Sequence, residues 1–345
     1  MYLFHNDYNE MCHPAVLRRL EDVSLQQMDG YGEDPCCGAA ADMVRSLCGR
    51  DDIAVHFLVG GTQTNLTVIT AALRPHQAAI GAESAHIQVH ETGAIEATGH
   101  KVLSLPSEDG KITAEQIRKT AQGHIDDVTH EHIAQPKLVY LSQPTELGTT
   151  YTLNEMEQIS QVCKQYGLYL FVDGARLGYA LSAADNDVTL NDLVRLTDVF
   201  YIGGTKVGAM FGEAVVISNP AIAEDFRYII KQRGGMLAKG WLLGAQFEAL
   251  LKDKLYFQIS QHANRLADKL RDTLKQLGYP ITVECRTNQV FTVLPNAVLQ
   301  ELKKDFSYAP WGAVDENHTA VRFCTSWATK EEDIDALMEL LDTLG

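Results

Sequence analysis

Three short segments carry residues whose chemistry exceeds what a fold alone requires. Lys206 follows the apolar run Val199-Phe200-Tyr201-Ile202 and sits among glycines in Gly203-Gly204-Thr205-Lys206-Val207-Gly208. A lysine taken out of water has a lowered pKa and becomes an amine nucleophile, the requirement for a Schiff base. A turn lysine without that role fits the same residues. Asp173 ends a second apolar run, in Phe171-Val172-Asp173-Gly174-Ala175-Arg176. A carboxylate at the end of a buried strand is unfavourable unless it meets a cation or a donor. Its partner is either Arg176, in a structural ion pair, or a protonated ring nitrogen of a cofactor that Asp173 keeps charged. The third segment, Gly60-Gly61-Thr62-Gln63-Thr64-Asn65, reads as strand, glycine turn and helix start. Free N–H groups and the helix dipole there suit a phosphate, with Thr62 as cap and hydroxyl donor. A plain capped helix start reads the same way. The segment matches neither Gly-x-x-x-x-Gly-Lys-Ser/Thr nor Gly-x-Gly-x-x-Gly, so nucleoside triphosphate and dinucleotide sites lose support.

Together, a phosphate cradle, an aspartate for a pyridine nitrogen and a strand-end lysine are what pyridoxal 5'-phosphate needs. The elements that must position them show as apolar runs alternating with amphipathic stretches. Residues 53–59 are β-rich and run into the glycine turn; 137–142, 168–172 and 198–202 are short apolar runs suited to strands covered on both faces; 62–73 and 153–166 have helical spacing. Strands alternating with helices predict an α/β domain with a large, doubly wound, mainly parallel sheet. Ligands of such sheets gather at the carboxyl ends of the strands. Beyond about residue 235 the texture changes. Residues 240–278 read as one long charged helical stretch, 281–285, 289–294 and 319–325 as strands, and 297–304 and 330–344 as helices. The expected division is an N-terminal arm (1–13), a large α/β domain (14–240) and a small C-terminal α+β domain (241–345). Residues 124–132, charged and rich in histidine, read as a solvated loop.

Composition bounds the partners. Twenty-nine basic against 45 acidic side chains in 345 residues give a formal charge of −16, which opposes binding to nucleic acid or an anionic membrane. The start lacks a basic segment followed by an apolar core, so no secretory signal is expected. Seven cysteines without a Cys-x-x-Cys pair suggest neither a disulfide framework nor a structural zinc site. A soluble cytoplasmic protein with reduced thiols is the expectation. His86 and His90 are spaced as a metal pair would be, but two ligands do not make a site and His-Glu-x-x-His is absent, so no metal is expected.

The chain resembles the threonine aldolase / β-eliminating lyase family of fold-type I pyridoxal-phosphate enzymes over nearly its whole length. The resemblance rests on Asn6-Asp7, Tyr31-Gly32-Glu33-Asp34, Gly61-Thr62-Gln63-Thr64-Asn65-Leu66, Ala85-His86, Val172-Asp173-Gly174-Ala175-Arg176, Thr205-Lys206 and Val321-Arg322. It implies that Lys206, preceded by Thr205, forms the Schiff base with the cofactor and that Asp173 faces the ring nitrogen. Gly61 and Thr62 would hold the phosphate, Arg176 would lie near the phenolic oxygen and His86 would stack on the ring. On the substrate side it implies Arg322 for the carboxylate, with Asn6 and Tyr31 nearby. Alternation along 319–325 puts Arg322 on one face with Ala320 and Cys324, small neighbours that leave room for a bidentate carboxylate.

Two departures from the family pattern stand out. Glu146, in Gln143-Pro144-Thr145-Glu146-Leu147-Gly148, occupies the place of a second active-site histidine, and would act as base directly if its pKa is raised, or through a water. Leu237 stands where an arginine that reaches a neighbouring subunit's phosphate is expected, so Arg233 or Lys239 must substitute. The resemblance implies a lyase that cleaves L-β-hydroxy-α-amino acids, threonine and allo-threonine among them, to glycine and an aldehyde. The alternatives are another pyridoxal-phosphate lyase acting by β-elimination or on aromatic substrates such as phenylserine, an aminotransferase, or a non-catalytic metabolite-binding protein. It also implies a homodimer or homotetramer with shared active sites.

Overall fold

A computed structural model describes residues 1–344. Its strands are β1 (Tyr2–Leu3), β2 (Ala54–Leu58), β3 (Gln77–Ala82), β4 (Lys101–Leu105), β5 (Gln135–Ser142) and β6 (Tyr169–Asp173). They continue with β7 (Val199–Gly203), β8 (Glu213–Ile217), β9 (Gln289–Pro295), β10 (Phe306–Ser307), β11 (Ala309–Ala313) and β12 (His318–Cys324). Seven of them form one sheet in the order β2-β8-β7-β6-β5-β3-β4. All its neighbours are parallel except β8, which runs antiparallel to both β2 and β7. The carboxyl ends of β2, β3, β5, β6 and β7 and the start of β8 therefore share one edge. A second sheet, β11-β12-β9, is antiparallel, and β1 pairs with β10.

Local sequence explains how the central strands are delivered to that edge. The helix Leu153–Tyr166 opens with a capping box: Thr152 accepts from the Glu155 N–H while the Glu155 carboxylate accepts from the Thr152 N–H. Such a cap contributes about 1 kcal/mol. The helix buries a stripe of Met156, Ile159 and Cys163, and ends at Gly167 with φ 62°, a left-handed turn that favours glycine. The chain then enters β6, whose Leu170, Phe171 and Val172 are buried on both faces. Gly174 lets β6 and β7 close up at their ends, because a Cβ there would overlap the Tyr201 carbonyl oxygen. The Gly203 N–H donates to the Gly174 carbonyl at 2.9 Å instead.

Two cores result. The larger surrounds the seven-stranded sheet, and the smaller gathers Leu266, Leu270, Leu274, Val290, Phe323 and Leu337 around the antiparallel sheet. The helix Leu255–Gln276 serves both, giving Tyr256, Ile259 and Ala263 to the first and Leu266, Leu270 and Leu274 to the second. Phe4 of the N-terminal arm also belongs to the smaller core. All seven cysteines are unpaired and buried, and no helix among the described residues is long and apolar enough to cross a membrane.

The structure corrects several readings of the elements. Residues 281–285 do not form a strand; only Ile281 bridges Thr292, and Cys285 turns back to donate its thiol to the Gln289 carbonyl at 3.2 Å. The long stretch 240–278 is two helices, Trp241–Leu251 and Leu255–Gln276, broken where Asp253 and Lys254 adopt φ of 53° and 59°. Residues 124–132 are not simply a loop: they end the helix Ala114–Asp126 and form a 3-10 turn, His130–His132. Strand β3, Gln-Ala-Ala-Ile-Gly-Ala, goes unread because alanine and glycine carry little strand preference; its complete burial makes it a strand.

Candidate active site

The shared edge carries a cavity of about 650 Å³. Gly61, Thr62, His86, Glu146, Asp173, Arg176, Thr205, Lys206 and Arg322 all line it, brought together from five strand ends and the small sheet. Its volume lies within the range of sites that bury a cofactor-sized ligand.

The helix Gly61–Ala72 starts at this cavity. Gly60 is its N-cap and offers no side-chain bond, so the first-turn N–H groups remain for an outside acceptor. Thr62 is thus not the cap expected from sequence: it stands one residue inside the helix, exposed, with its hydroxyl at the cavity. Gly61 is needed for closeness, since a Cβ there would lie 3.2 Å from the Tyr201 hydroxyl. That hydroxyl is buried, lines the cavity and has no hydrogen-bond partner in the chain.

Asp173, 5% exposed, ends β6 inside a network of donors. Its Oδ2 accepts from the Tyr140 hydroxyl at 2.5 Å and Asn65 Nδ2 at 3.0 Å, and its Oδ1 from the Ala175 N–H at 2.9 Å. Burial alone would raise its pKa, but these bonds to the charged form and the nearby Tyr201 hydroxyl hold it below the usual value. Asp173 is therefore ionised, and lone-pair sites remain for one more donor. Asn65 Nδ2 also donates to Glu91 Oε1 at 2.7 Å, and Glu91 Oε1 meets His86 Nδ1 at 2.8 Å. His86 is thus fixed by a buried carboxylate in the manner of a ring held in one orientation and tautomer. Neither Asn65, Glu91 nor Tyr140 has a role legible from spacing, because each reaches Asp173 or His86 only through the fold.

Arg176 does not pair with Asp173. It clamps Asp7 instead, Nε to Oδ2 at 2.7 Å and Nη2 to Oδ1 at 3.0 Å, and Asn288 Nδ2 adds a bond to Oδ2 at 2.8 Å. Burial opposes ionisation of Asp7, but the Arg176 and Lys206 charges and these bonds hold it at about 2. The structural ion pair thus belongs to the arm and leaves Asp173 without a cation, as a site for a protonated ring nitrogen requires.

Lys206 lies beyond the end of β7, with Nζ 6.0 Å from the centre of the Tyr8 ring. Burial lowers its pKa and the Arg176 charge lowers it further, against the pull of Asp7, Asp173 and Glu213. Its amine is accordingly closer to a nucleophile than a free lysine is. Glu146 Oε1 accepts from Ser142 Oγ at 2.8 Å and from the His86 N–H at 3.0 Å. Burial and the neighbouring Asp173 charge raise its pKa, the condition for a carboxylate base working near neutrality.

Arg322, on β12, donates from Nη1 to Gln289 Oε1 at 3.0 Å and from Nη2 to the His5 carbonyl at 3.2 Å, while Nε is buried and unpartnered. Its neighbours are not only the small residues that alternation places on its face. Trp311 of β11 lies under it, guanidinium to ring centre 5.3 Å. Trp311 and Tyr8 line the cavity and were not singled out by sequence; His90, weighed there only as a metal partner for His86, lines it too. Asn6, Tyr31, Arg233 and Lys239 do not line it. Asn6 closes a local turn, accepting from the Tyr8 N–H at 3.0 Å. Tyr31 lines a separate cavity of about 240 Å³ and stacks on Lys231, Nζ to ring centre 4.7 Å.

Comparison with known proteins follows the same lines. The model of the family described as beta-eliminating lyase matches residues 14–297. The low specificity L-threonine aldolase of Pseudomonas aeruginosa is 31% identical over 97% of this chain and 94% of its own length. A solved threonine aldolase of Leishmania major is 46% identical, with a TM-score of 0.97 over 100% of this chain and 99% of that one. The histidinol-phosphate aminotransferase of Clostridium acetobutylicum, 14% identical, shares the fold with a TM-score of 0.74 over 100% of this chain and 99% of its own.

Proposed function

Because the chain belongs to the beta-eliminating lyase family, we propose that it is a pyridoxal-phosphate-dependent lyase that splits L-β-hydroxy-α-amino acids into glycine and an aldehyde. Threonine and allo-threonine are the substrates nearest to the names of its relatives. The observation that carries the reading is the meeting of Lys206, an ionised Asp173 and an uncapped helix start in one cavity that also holds Arg322.

The residues present fit the cofactor. The first-turn N–H groups at Gly61 and Thr62 would take its phosphate, Asp173 its ring nitrogen and Lys206 its carbonyl carbon, with His86 against the ring. Bound there, the cofactor supplies an electron sink for the bond being broken. The chain's own residues do the rest. Asp173 stays charged and keeps a proton on the atom it faces. Arg322, steadied by Gln289, His5 and Trp311, fixes the substrate carboxylate. Glu146, whose Oε1 is already occupied, takes the β-hydroxyl proton at Oε2. Lys206, protonated when the incoming substrate amine passes it a proton and a readier acid for its lowered pKa, gives that proton up where glycine forms.

Tyr31, Arg233 and Lys239, which do not line their own cavity, serve that of a neighbouring copy in this reading, which makes the protein a homodimer or homotetramer. Seven buried, unpaired cysteines support a reducing, cytoplasmic setting. The test is to incubate purified protein and pyridoxal phosphate with threonine, allo-threonine and phenylserine. Glycine is the expected product, borohydride should fix a mass tag on Lys206, and Glu146→Gln should slow turnover by about 10²-fold or more. Pyruvate with ammonia, or a 2-oxo acid, would replace the aldolase by another reaction. An untagged Lys206 would remove the enzyme.

A further inference from the structure

Glu213 is the one cavity-lining carboxyl without a place in the chemistry above. It is the first residue of β8, directly across the ladder from Gly203, and is 2% exposed. Its Oε2 accepts from the Gly204 N–H at 3.0 Å and its Oε1 from the Thr205 hydroxyl at 2.8 Å. Thr205 Oγ1 in turn accepts from the Gly212 N–H at 3.0 Å, and the Gly204 and Thr205 N–H groups donate to the Gly212 carbonyl at 2.9 and 3.1 Å. The loop that carries Lys206 is therefore closed at its neck by one buried carboxyl group. A backbone turn of this kind needs an acceptor there, and an amide or hydroxyl would serve as well as an acid. What an acid adds is a charge that can be switched.

The groups around Glu213 decide how that charge behaves. Lys206 faces it from the loop, Asp173 from the end of β6, Tyr201 from β7 and Tyr256 from the helix Leu255–Gln276; Arg176 and Asp7 act on Lys206 from the far side. Only Lys206 offers a nearby cation, and it does not form an ion pair with Glu213. Burial, with Asp173 adding to it, pushes Glu213 up to about 8 against the bonds from Thr205 and Gly204 and the Lys206 charge. Were Glu213 ionised at neutral pH, it would hold Lys206 as an ammonium ion, which is useless as a nucleophile.

We propose that Glu213 is a positioning residue for Lys206, closing the neck of its loop with a buried carboxyl group whose charge sets how readily the lysine loses its proton. Above neutrality Glu213 ionises and draws a proton back onto Lys206, so the lysine loses reactivity relative to one without that carboxyl. The proposal rests on Lys206 being the cofactor lysine, but its test does not need the cofactor.

The experiment compares full-length wild type and Glu213→Gln. Reductive methylation of Lys206 in cofactor-free protein is followed by mass spectrometry from pH 6 to pH 10. With pyridoxal phosphate bound, the pH midpoint of the visible absorption is measured in parallel. The expected result is equal labelling near pH 6 and about threefold to tenfold faster labelling of Glu213→Gln near pH 9, with a downward shift of the absorption midpoint. Superimposable labelling curves would overturn the proposal. If the glutamine variant does not fold, Thr205→Val removes a bond to the charged form and should move labelling in the same direction; no movement is again decisive. A wild type that labels as expected but never binds the cofactor would sink the enzymatic reading alone.

Discussion

Asp7 and Glu213 are both buried carboxyl groups within the electrostatic reach of Lys206, yet they are perturbed in opposite senses. Asp7 meets a bidentate guanidinium and an amide and is held at about 2; Glu213 meets one N–H and one hydroxyl and is pushed up to about 8. The degree of burial does not separate them. The difference is a fixed cation, which repays desolvation where two neutral donors do not. Lys206 thus has a permanent negative charge on its Arg176 side and a switchable one on its β8 side.

The largest break in this contrast is Arg176→Met, which leaves the Asp7 carboxylate buried with its guanidinium gone. Urea unfolding at pH 7 should show a loss of about 3–5 kcal/mol, and Asp7 should then resemble Glu213. If stability is unchanged, a fixed cation is not what distinguishes the two corners.

The second effect is the slope of stability with pH. The folded value of Glu213 lies above its ordinary 4.5, so the folded chain keeps a proton that the unfolded chain releases. Its contribution is fully present below about 4.5 and is lost as pH rises through about 8. Stability against pH over this window should be flatter in Glu213→Gln than in wild type, by about 4 kcal/mol across it. The smallest effect is Asp7→Asn. The folded value of Asp7 lies below its ordinary 3.8, so its contribution is present above that pH and is lost as pH falls through about 2. The variant should be weaker than wild type by roughly 2 kcal/mol at pH 7, the difference closing in acid. A gap that stays constant down to pH 2 would refute the ion-pair origin.

What sequence could and could not reveal follows from distance along the chain. Gly61, Asp173 and Lys206 are legible because the strand, the turn and the reacting residue lie next to one another, and alternation of strands with helices fixes the edge they share. The pairing of Asp7 with Arg176 crosses 169 positions, and that of Asn65 with Asp173 crosses 108. No local pattern announces such contacts. Glu213 opens a strand that reads as ordinary apolar sequence after it, and only the reversal of β8 against β7 aims it at the lysine loop. Trp311 belongs to a short strand, Ala-Pro-Trp-Gly-Ala, in which proline and glycine hide the ladder. Residues 281–285 mislead in the other direction: the composition suits a strand, but the backbone ahead of β9 finds a single bridge.

The Asp7 cluster also says something about assembly. Its three members come from the N-terminal arm, from the stretch after β6 in the large sheet, and from Asn288 just before β9 in the small one. The guanidinium beside one lobe and the amide of the other meet the same carboxylate, so the arm is tied to both lobes at once. A form in which the arm has reached the small lobe without Arg176 carries a carboxylate without its cation. The same residue that steadies the finished molecule therefore penalises its half-built versions, and it does so within reach of the lysine on which the chemistry depends.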